Sequence, residues 1–430
     1  MAKPKLALIP AAQGSKLFSV LPSSGVGDFD FSRSGKATRI NSQGLIEEVA
    51  NGQSRLNYPM IDGKVVGCPH HILEPQMTNL IPYSEDFANS DWTKTASTIT
   101  SNSIISPDGT MNASKLTEDT SSSTHRIYDT IITSSGVVHT QSIFAKSGGN
   151  GRFLRMFRGS GTYNFAVFDL DNGVIFSQGG SNIISTKIEK YPNGWYKCSS
   201  TFTTQFSNIA TYYGIQNGIL DSYTGDGTSG IYIYGAMLEV GSYPTSYIPT
   251  NGESGGVTRA AETATGSGDA ATFNDSRGVL MAEISALVDD QTRRQISVSD
   301  GTVENVVRLH YHDDGSNRIR FQIRSNNSIE VSTSFSVNNI KEFHKVAIFY
   351  RLNDVKFFID GFEVGTDTTA AMPIGLSVLQ FNQGNGLQAF LGKTKQIQYY
   401  KSALTDSELE QLTSWTSFTD MAQAQQYSIK

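Results

Sequence analysis

"YNFAVFDLDNGVIFS" occupies Tyr163–Ser177. Two apolar, β-favouring runs flank Asn172-Gly173, a pair that type I′ hairpin turns select because both central residues need positive φ. The stretch predicts a β-hairpin. Nearby, "HTQSIFAKSGG", "NGWYKCSSTFTT" and "GIYIYGAMLEV" also read as strands bounded by Gly, Asn, Asp or Ser. Strands at this spacing, without intervening helices, predict a two-sheet sandwich or jelly roll over residues 81–250.

A second β-rich run starts near Gly278 and includes "GVLMAEISALV", "VVRLHYHDDG", "NRIRFQIR" and "KVAIFYRLNDVKFFIDGFEVGTD". It predicts a second sandwich over 278–415, closed by one helix in "LTDSELEQLTSW". There Thr405 and Glu408 have the spacing of a capping box, and Leu409 and Leu412 supply an apolar face. Residues 416–430 are polar and read as a tail. Between the sandwiches, Pro244 and Pro249 lack an N–H and end ladder pairing. The small polar residues of 251–277 read as a loose linker. Residues 1–80 are irregular, with Phe18, Val20, Leu21, Phe29, Phe31, Leu45, Ile46, Leu56, Tyr58 and Ile72 scattered among breakers. Strands so short predict a segment ordered against neighbouring copies or another surface, and hence a homo-oligomer.

The length of 430 residues suggests two to three domains. Charged residues make up 17% and glycines number 40, an all-β profile rich in turns. A net charge of −6 argues against a nucleic-acid binder, which would carry a basic stripe. Cys68 and Cys198 are the only cysteines, so a disulfide framework is not expected and folding in a reducing cytoplasm is. "MAKPKLALIP" lacks the apolar core of a signal peptide and no run reaches transmembrane length, so no membrane insertion is expected.

Three stretches resemble known families. "KVAIFYRLNDVKFFIDGFEVGTD", with Asp360-Gly361 as its turn, and "LGKTKQIQYYKSALTDSELEQL" resemble concanavalin A-like (laminin G-like) sandwiches. "TNLIPYSEDFANSDWTKTASTITSNSIISPDGTMNASKL", "NGWYKCSSTF" and "LEVGSYPTSYIPT…VTRAAE" resemble bacteriophage virion proteins that place a carbohydrate-binding-like jelly roll before such a domain. "FDFSRSGKATRINSQGLIEEV…RLNYP" resembles the virion-attachment leader of tail-fibre and head-fibre proteins. The resemblance implies an all-β virion fibre or spike protein, made in the host bacterial cytoplasm. It would be anchored through residues 1–80 to capsid, portal or tail components and bind host surface polysaccharide. It also implies a homotrimer, by analogy with three-fold phage fibres. The alternatives are a capsid or tail decoration protein with no receptor role, and a glycan-active hydrolase.

Cleavage chemistry finds little footing. No H-E-x-x-H, phosphate loop or E-x-D-x-x-E pattern is present, so a non-enzymatic protein is expected. His310 and His312, beside Asp313 and Asp314, read as solvated polar residues of a hairpin rather than metal ligands. The vicinal pair His70-His71 is a weaker metal candidate still, since neighbouring strand residues face opposite ways. Sugar binding needs aromatic platforms. Trp92, in a loop-like stretch, is the best exposed candidate, with Tyr212, Tyr213, Tyr223 and Tyr232 behind it. Strand alternation sends about half of such a set into the core. Trp195 and Trp415 read as core and as helix packing. Carbohydrate-binding jelly rolls often hold a structural ion between first and last strands. The resemblance therefore implies a calcium site at Glu85 or Asp86 with Glu239.

Overall fold

In a computed structural model, which describes residues 3–159, 164–311 and 314–414, Asn164–Asp169 pairs antiparallel with Val174–Gly179. The expected hairpin is there, but four residues close it rather than a type I′ pair. The Asp169 carboxylate accepts from the amides of Asp171 (3.0 Å) and Asn172 (3.1 Å), and the Gly173 amide donates to the Asp169 carbonyl (2.9 Å). Gly173 takes φ 69° while Asn172 keeps negative φ. The aspartate side chain thus supplies the turn that a second positive φ would have given.

The hairpin edges one sheet of a jelly roll. Its strands are Thr93–Thr95, His125–Ile132, Asn208–Asn217, Arg152–Gly159, Asn164–Asp169 and Val174–Gly179, in that spatial order. The facing sheet runs Ser97–Ile104, Ala113–Glu118, Gly230–Val240, Val138–Ser147, Trp195–Thr203 and Ile183–Lys190. Alternate residues such as Ile127, Leu154, Met156, Tyr213, Ile231 and Ile233 fill the space between the sheets, as period-two patterning requires. Cys198 is buried in this core and Cys68 is exposed.

The second sandwich has the concanavalin A-like form, with a five-stranded sheet against a larger one. Residues 1–80 differ most from expectation. Leu6–Gln13 pairs with the last strand, Gly392–Tyr400, in the register Leu6↔Tyr399 and Leu8↔Ile397. Lys16–Leu21 and Phe29–Ser32 extend the same sheet. Leu6, Leu8, Leu17, Phe29 and Phe31 are core residues of this sandwich. Of the apolar side chains expected to need a neighbouring copy, Phe29, Phe31, Ile46 and Ile72 are buried within one chain, while Phe18, Val20, Leu21, Leu45, Leu56 and Tyr58 are half-buried. The strands missing from 278–415 are the N-terminal ones. The jelly roll is inserted between two parts of a single sandwich.

The expected linker is also not loose. Val257–Arg259 pairs with Met77–Asn79, and Thr263–Thr265 pairs with Phe29–Ser32. Between them, five buried ionised groups interlock. Glu262 accepts from Arg33 (2.9 Å), from Arg55 Nε (2.8 Å) and again from Arg55 Nη2. Glu74 accepts from Arg55 (2.8 Å) and pairs with Arg259 (2.8 Å). Burial raises the Glu74 pKa, but the Arg259 and Arg55 charges outweigh it and hold the carboxyl at about 2. Small residues gave no hydrophobic period to read here, while Arg259 and Glu262 carry the packing.

The helix Asp406–Ser414 forms as predicted. The Glu408 amide donates to Thr405 Oγ1 (3.3 Å) and the Thr405 amide to Glu408 Oε2 (2.9 Å). Leu409 and Leu412 pack with Val279, Met281, Ala347, Phe349 and Phe358 on the outer side of the large sheet. Trp415, residues 416–430, His312 and Asp313 lie outside the described residues. Among the described residues no helix is long and apolar enough to cross a membrane.

Candidate functional site

The outward face of the jelly-roll sheet that contains the hairpin carries two neighbouring cross-strand rows. In the first, Tyr128 lies opposite Tyr212, Tyr212 opposite Phe157, and Phe157 opposite Phe165. Four strands thus contribute one aromatic side chain each. Tyr212 and Phe157 stack at 4.4 Å between centroids with 8° between planes, and Tyr128 sits 4.8 Å from Tyr212. In the second row Gly214 lies between Arg126 and Arg155. The glycine leaves a gap in the side-chain layer, and the gap is the floor of a cleft of about 400 Å³. Arg126, Arg155, Phe157, Phe165 and Asp221 line it.

Both guanidinium groups are held against rings. Arg126 lies 4.8 Å from the Tyr212 centroid and 5.3 Å from that of Phe157. Arg155 lies 5.3 Å from Phe157 and 4.7 Å from Phe165. Such contacts are attractive and fix the plane of the cation. Arg155 also donates to Gln216 Oε1 (2.9 Å) and pairs with Asp221 (3.3 Å). Arg126 has no ion-pair partner among the described residues, and its Nε is buried without an acceptor. A face of aromatic edges beside fixed planar donors can hold a polyhydroxylated ligand. Its apolar C–H surface would rest on the rings while its oxygens accept from the arginines.

Of the residues singled out in the sequence, only Tyr212 belongs to this face. Trp92 is not an exposed platform: it is 1% exposed, packed between Phe87 and Tyr213 with its indole N–H on the Tyr83 carbonyl (2.9 Å). The loop that carries it folds over the end of the core. Tyr213 is wholly buried and donates to the Ser142 carbonyl (3.2 Å). Tyr223 is buried beneath His125 and Arg152, with its hydroxyl on Glu118 (2.5 Å). Tyr232 packs against a cluster on the opposite sheet, and Trp195 is core as expected. Arg126, Arg155 and Phe157 were not found by sequence reading. The alternation Phe153, Arg155, Phe157 against Leu154 and Met156 was the available signal, but it does not reveal which residues lie across the strands.

The calcium set does not assemble. Glu85 and Asp86 line a larger cleft, about 760 Å³, with Glu48, Asp108 and Glu253 among its walls. Glu85 Oε1 accepts from Tyr247 (2.9 Å) and faces the Tyr234 hydroxyl (3.0 Å), which also stands 3.1 Å from Asp108 Oδ2. Burial, only partly offset by these hydroxyls, raises the Glu85 pKa. Asp108 is desolvated too, but hydrogen bonds from Ser106, Thr110 and Asn112 lower its pKa. Glu239 lines neither wall. It is fully buried and accepts from the Thr245 amide (2.9 Å) and hydroxyl (2.7 Å). Burial pushes its pKa up to about 7 against those bonds. Among the described residues no three His, Cys, Asp or Glu side chains gather in a metal-binding group. His310 is buried rather than solvated, and His70 and His71 are buried too.

Residues 262–410 match the concanavalin A-like lectin/glucanases superfamily. A comparison with curated proteins finds no match. Among solved structures, the chain is similar to the Ruminococcus gnavus IT-sialidase CBM40 bound to α2,3 sialyllactose. That likeness has 19% identity and a TM-score of 0.28, covering 32% of this chain and 83% of that one. A native heptameric SAP-like pentraxin from Limulus polyphemus follows, with 11% identity, TM-score 0.26 and coverages of 33% and 71%. The mouse laminin α1 chain domains LG4-5 align with 9% identity, TM-score 0.22 and coverages of 65% and 87%.

Proposed function

We propose that this chain is a glycan-binding protein, and that the jelly roll binds host surface polysaccharide on the face carrying Tyr212. The observation that carries this reading is the four-strand aromatic row beside the arginine-walled cleft. Tyr128, Tyr212 and Phe165 stay partly exposed on this face around the buried Phe157, and a binding face accounts for that placement. Binding rather than cleavage is the activity. The cleft contains one carboxylate, Asp221, tied to Arg155, whereas glycoside hydrolysis generally uses two flanking carboxyl groups. The virion role, as a tail-fibre, head-fibre or spike component, is supported by the sequence resemblance. Display in several copies would give weak sites avidity. One chain already buries Phe29, Phe31, Ile46 and Ile72 and half-buries the other six N-terminal apolar residues, so their burial alone does not call for a trimer.

A glycan array probed with the intact protein, followed by titration of the strongest hit, tests the binding reading. Tyr212→Ala is expected to weaken that hit at least tenfold, about 1.4 kcal/mol, with the melting transition still cooperative. An array without any hit would favour the decoration protein instead. Electron cryomicroscopy of particles carrying the chain tests the virion half, where projecting density separates a fibre from a decoration.

A further inference from the structure

We infer that the glycan held on this face is acidic, and that Arg126 takes two oxygens of its anionic group in the pit above Gly214. The inference rests on the glycan-binding reading and names the ligand class for the same site.

Arg126 and Arg155 stand on either side of one glycine, across three adjacent strands. A Cβ at position 214 would lie 3.4 Å from Arg126 Cβ and from the Phe157 ring, and 3.3 Å from the His125 carbonyl oxygen. The pit therefore exists because this position has no side chain. The two arginines differ in what they already hold. Arg155 is occupied by Gln216 and Asp221. Arg126 is stacked on Tyr212 and Phe157 and meets no carboxylate among the described residues. A planar guanidinium fixed against rings, with its donors unspent, fits the two-oxygen edge of a carboxylate or sulfate in bidentate fashion.

Charge points the same way. The chain carries a net −6, and the larger cleft at Glu85 and Asp108 is lined by carboxylates. The smaller cleft has two arginines and a single aspartate, Asp221, half exposed at 52%. An acidic ligand is thus repelled by most of the protein and favoured here. A neutral sugar would leave the donors of Arg126 without a charged partner, and sites built for a hydrogen-bonding group discriminate strongly against analogues lacking it.

The test titrates the intact protein with polygalacturonate, hyaluronan and alginate, each beside its carboxyl-reduced form, and with dextran sulfate beside dextran. At least one acidic polymer should bind, and its neutral counterpart should bind at least tenfold more weakly. Arg126→Gln should cost the acidic ligand tenfold or more and so erase its advantage over the neutral counterpart. Arg126→Lys should fall between, because it keeps the charge and loses the fork. Gly214→Val, which fills the pit without touching the charge, should abolish binding and guards against a misfolded Arg126 variant. A hit confined to dextran sulfate assigns the group as sulfate, and a hit on the carboxylated polymers assigns it as carboxylate. Equal binding of acidic and neutral forms, lost in Tyr212→Ala but not in Arg126→Gln, overturns the acidic assignment and leaves glycan binding standing. No binding to any of these polymers, together with an empty array, overturns both.

Discussion

Replacing Glu262 by Gln removes one of two negative charges from a buried network of three arginines. The side chains of Glu262, Arg33 and Arg55 are all 0% exposed, so water cannot take over the lost interactions. Four donors converge on the carboxylate: Arg33 Nη1, Arg55 Nε, Arg55 Nη2 and the Glu74 amide. A glutamine offers one oxygen and turns an N–H₂ toward at least one of those donors. Arg33 keeps carbonyl partners in Gln53 (2.7 Å) and Val49 (3.2 Å), which limits the damage but leaves its charge uncompensated. Breaking a buried pair in this way costs about 3–5 kcal/mol, a large share of the roughly 5–15 kcal/mol that stabilises a domain. Urea denaturation followed by far-UV circular dichroism measures it, with Lys187→Gln as a control. That lysine belongs to the exposed Lys187–Glu189 pair (62% and 37% exposed), so its loss should shift stability by no more than about 0.5 kcal/mol. The same Glu262 variant should open residues 1–60 to proteolysis, since the network ties that segment to the strands around 259–265. A Glu262→Gln shift below about 1 kcal/mol would refute the claim that this network locks the N-terminal segment in place.

Three further outcomes follow from the same structure. Residues 278–414 alone should fail to fold, because the strand Leu6–Gln13 is missing from their sheet; a chain in which a short Gly-Ser linker replaces 80–256 should fold, because Met77–Asn79 and Val257–Arg259 are paired neighbours, and soluble, cooperative melting of the first fragment would count against this. Glu239 is held near pKa 7 against an ordinary 4.5, so the folded state binds more protons between those values. Its contribution to stability is present below pH 4.5 and is lost as pH rises through 7; the urea midpoint should decline less between pH 5 and 8 in Glu239→Gln than in the wild type, and parallel declines would contradict the assignment. Incubation with any bound polysaccharide should release no new reducing ends, and release abolished by Glu85→Gln would establish the hydrolase alternative at the acidic cleft.

Local signals were legible in the sequence and long-range ones were not. The capping box at Thr405 and Glu408, the Asn164–Gly179 hairpin and the alternation of jelly-roll strands depend on residues within a few positions of one another. The role of Leu6–Gln13 depends on Ile397–Tyr399 at the far end of the chain, and no pattern within 1–80 announces that partner. Gly and Pro between its short strands looked like a failure to build sheet, when they are the turns of an edge supplied to another part of the sequence. The site divides the same way. Tyr212 could be named as an aromatic on a strand, but Arg126, Gly214 and Arg155 become a cleft only once three strands are in register. Trp92 misled because a loop was equated with exposure, although that loop covers the end of the core.

The most direct test of glycan binding on the Tyr212 face is a crystal structure of the protein with the strongest array ligand. The account predicts sugar density against Tyr212, with an anionic group on Arg126 above Gly214. Density confined to the acidic cleft at Glu85 and Asp108, or to the second sandwich, would contradict it.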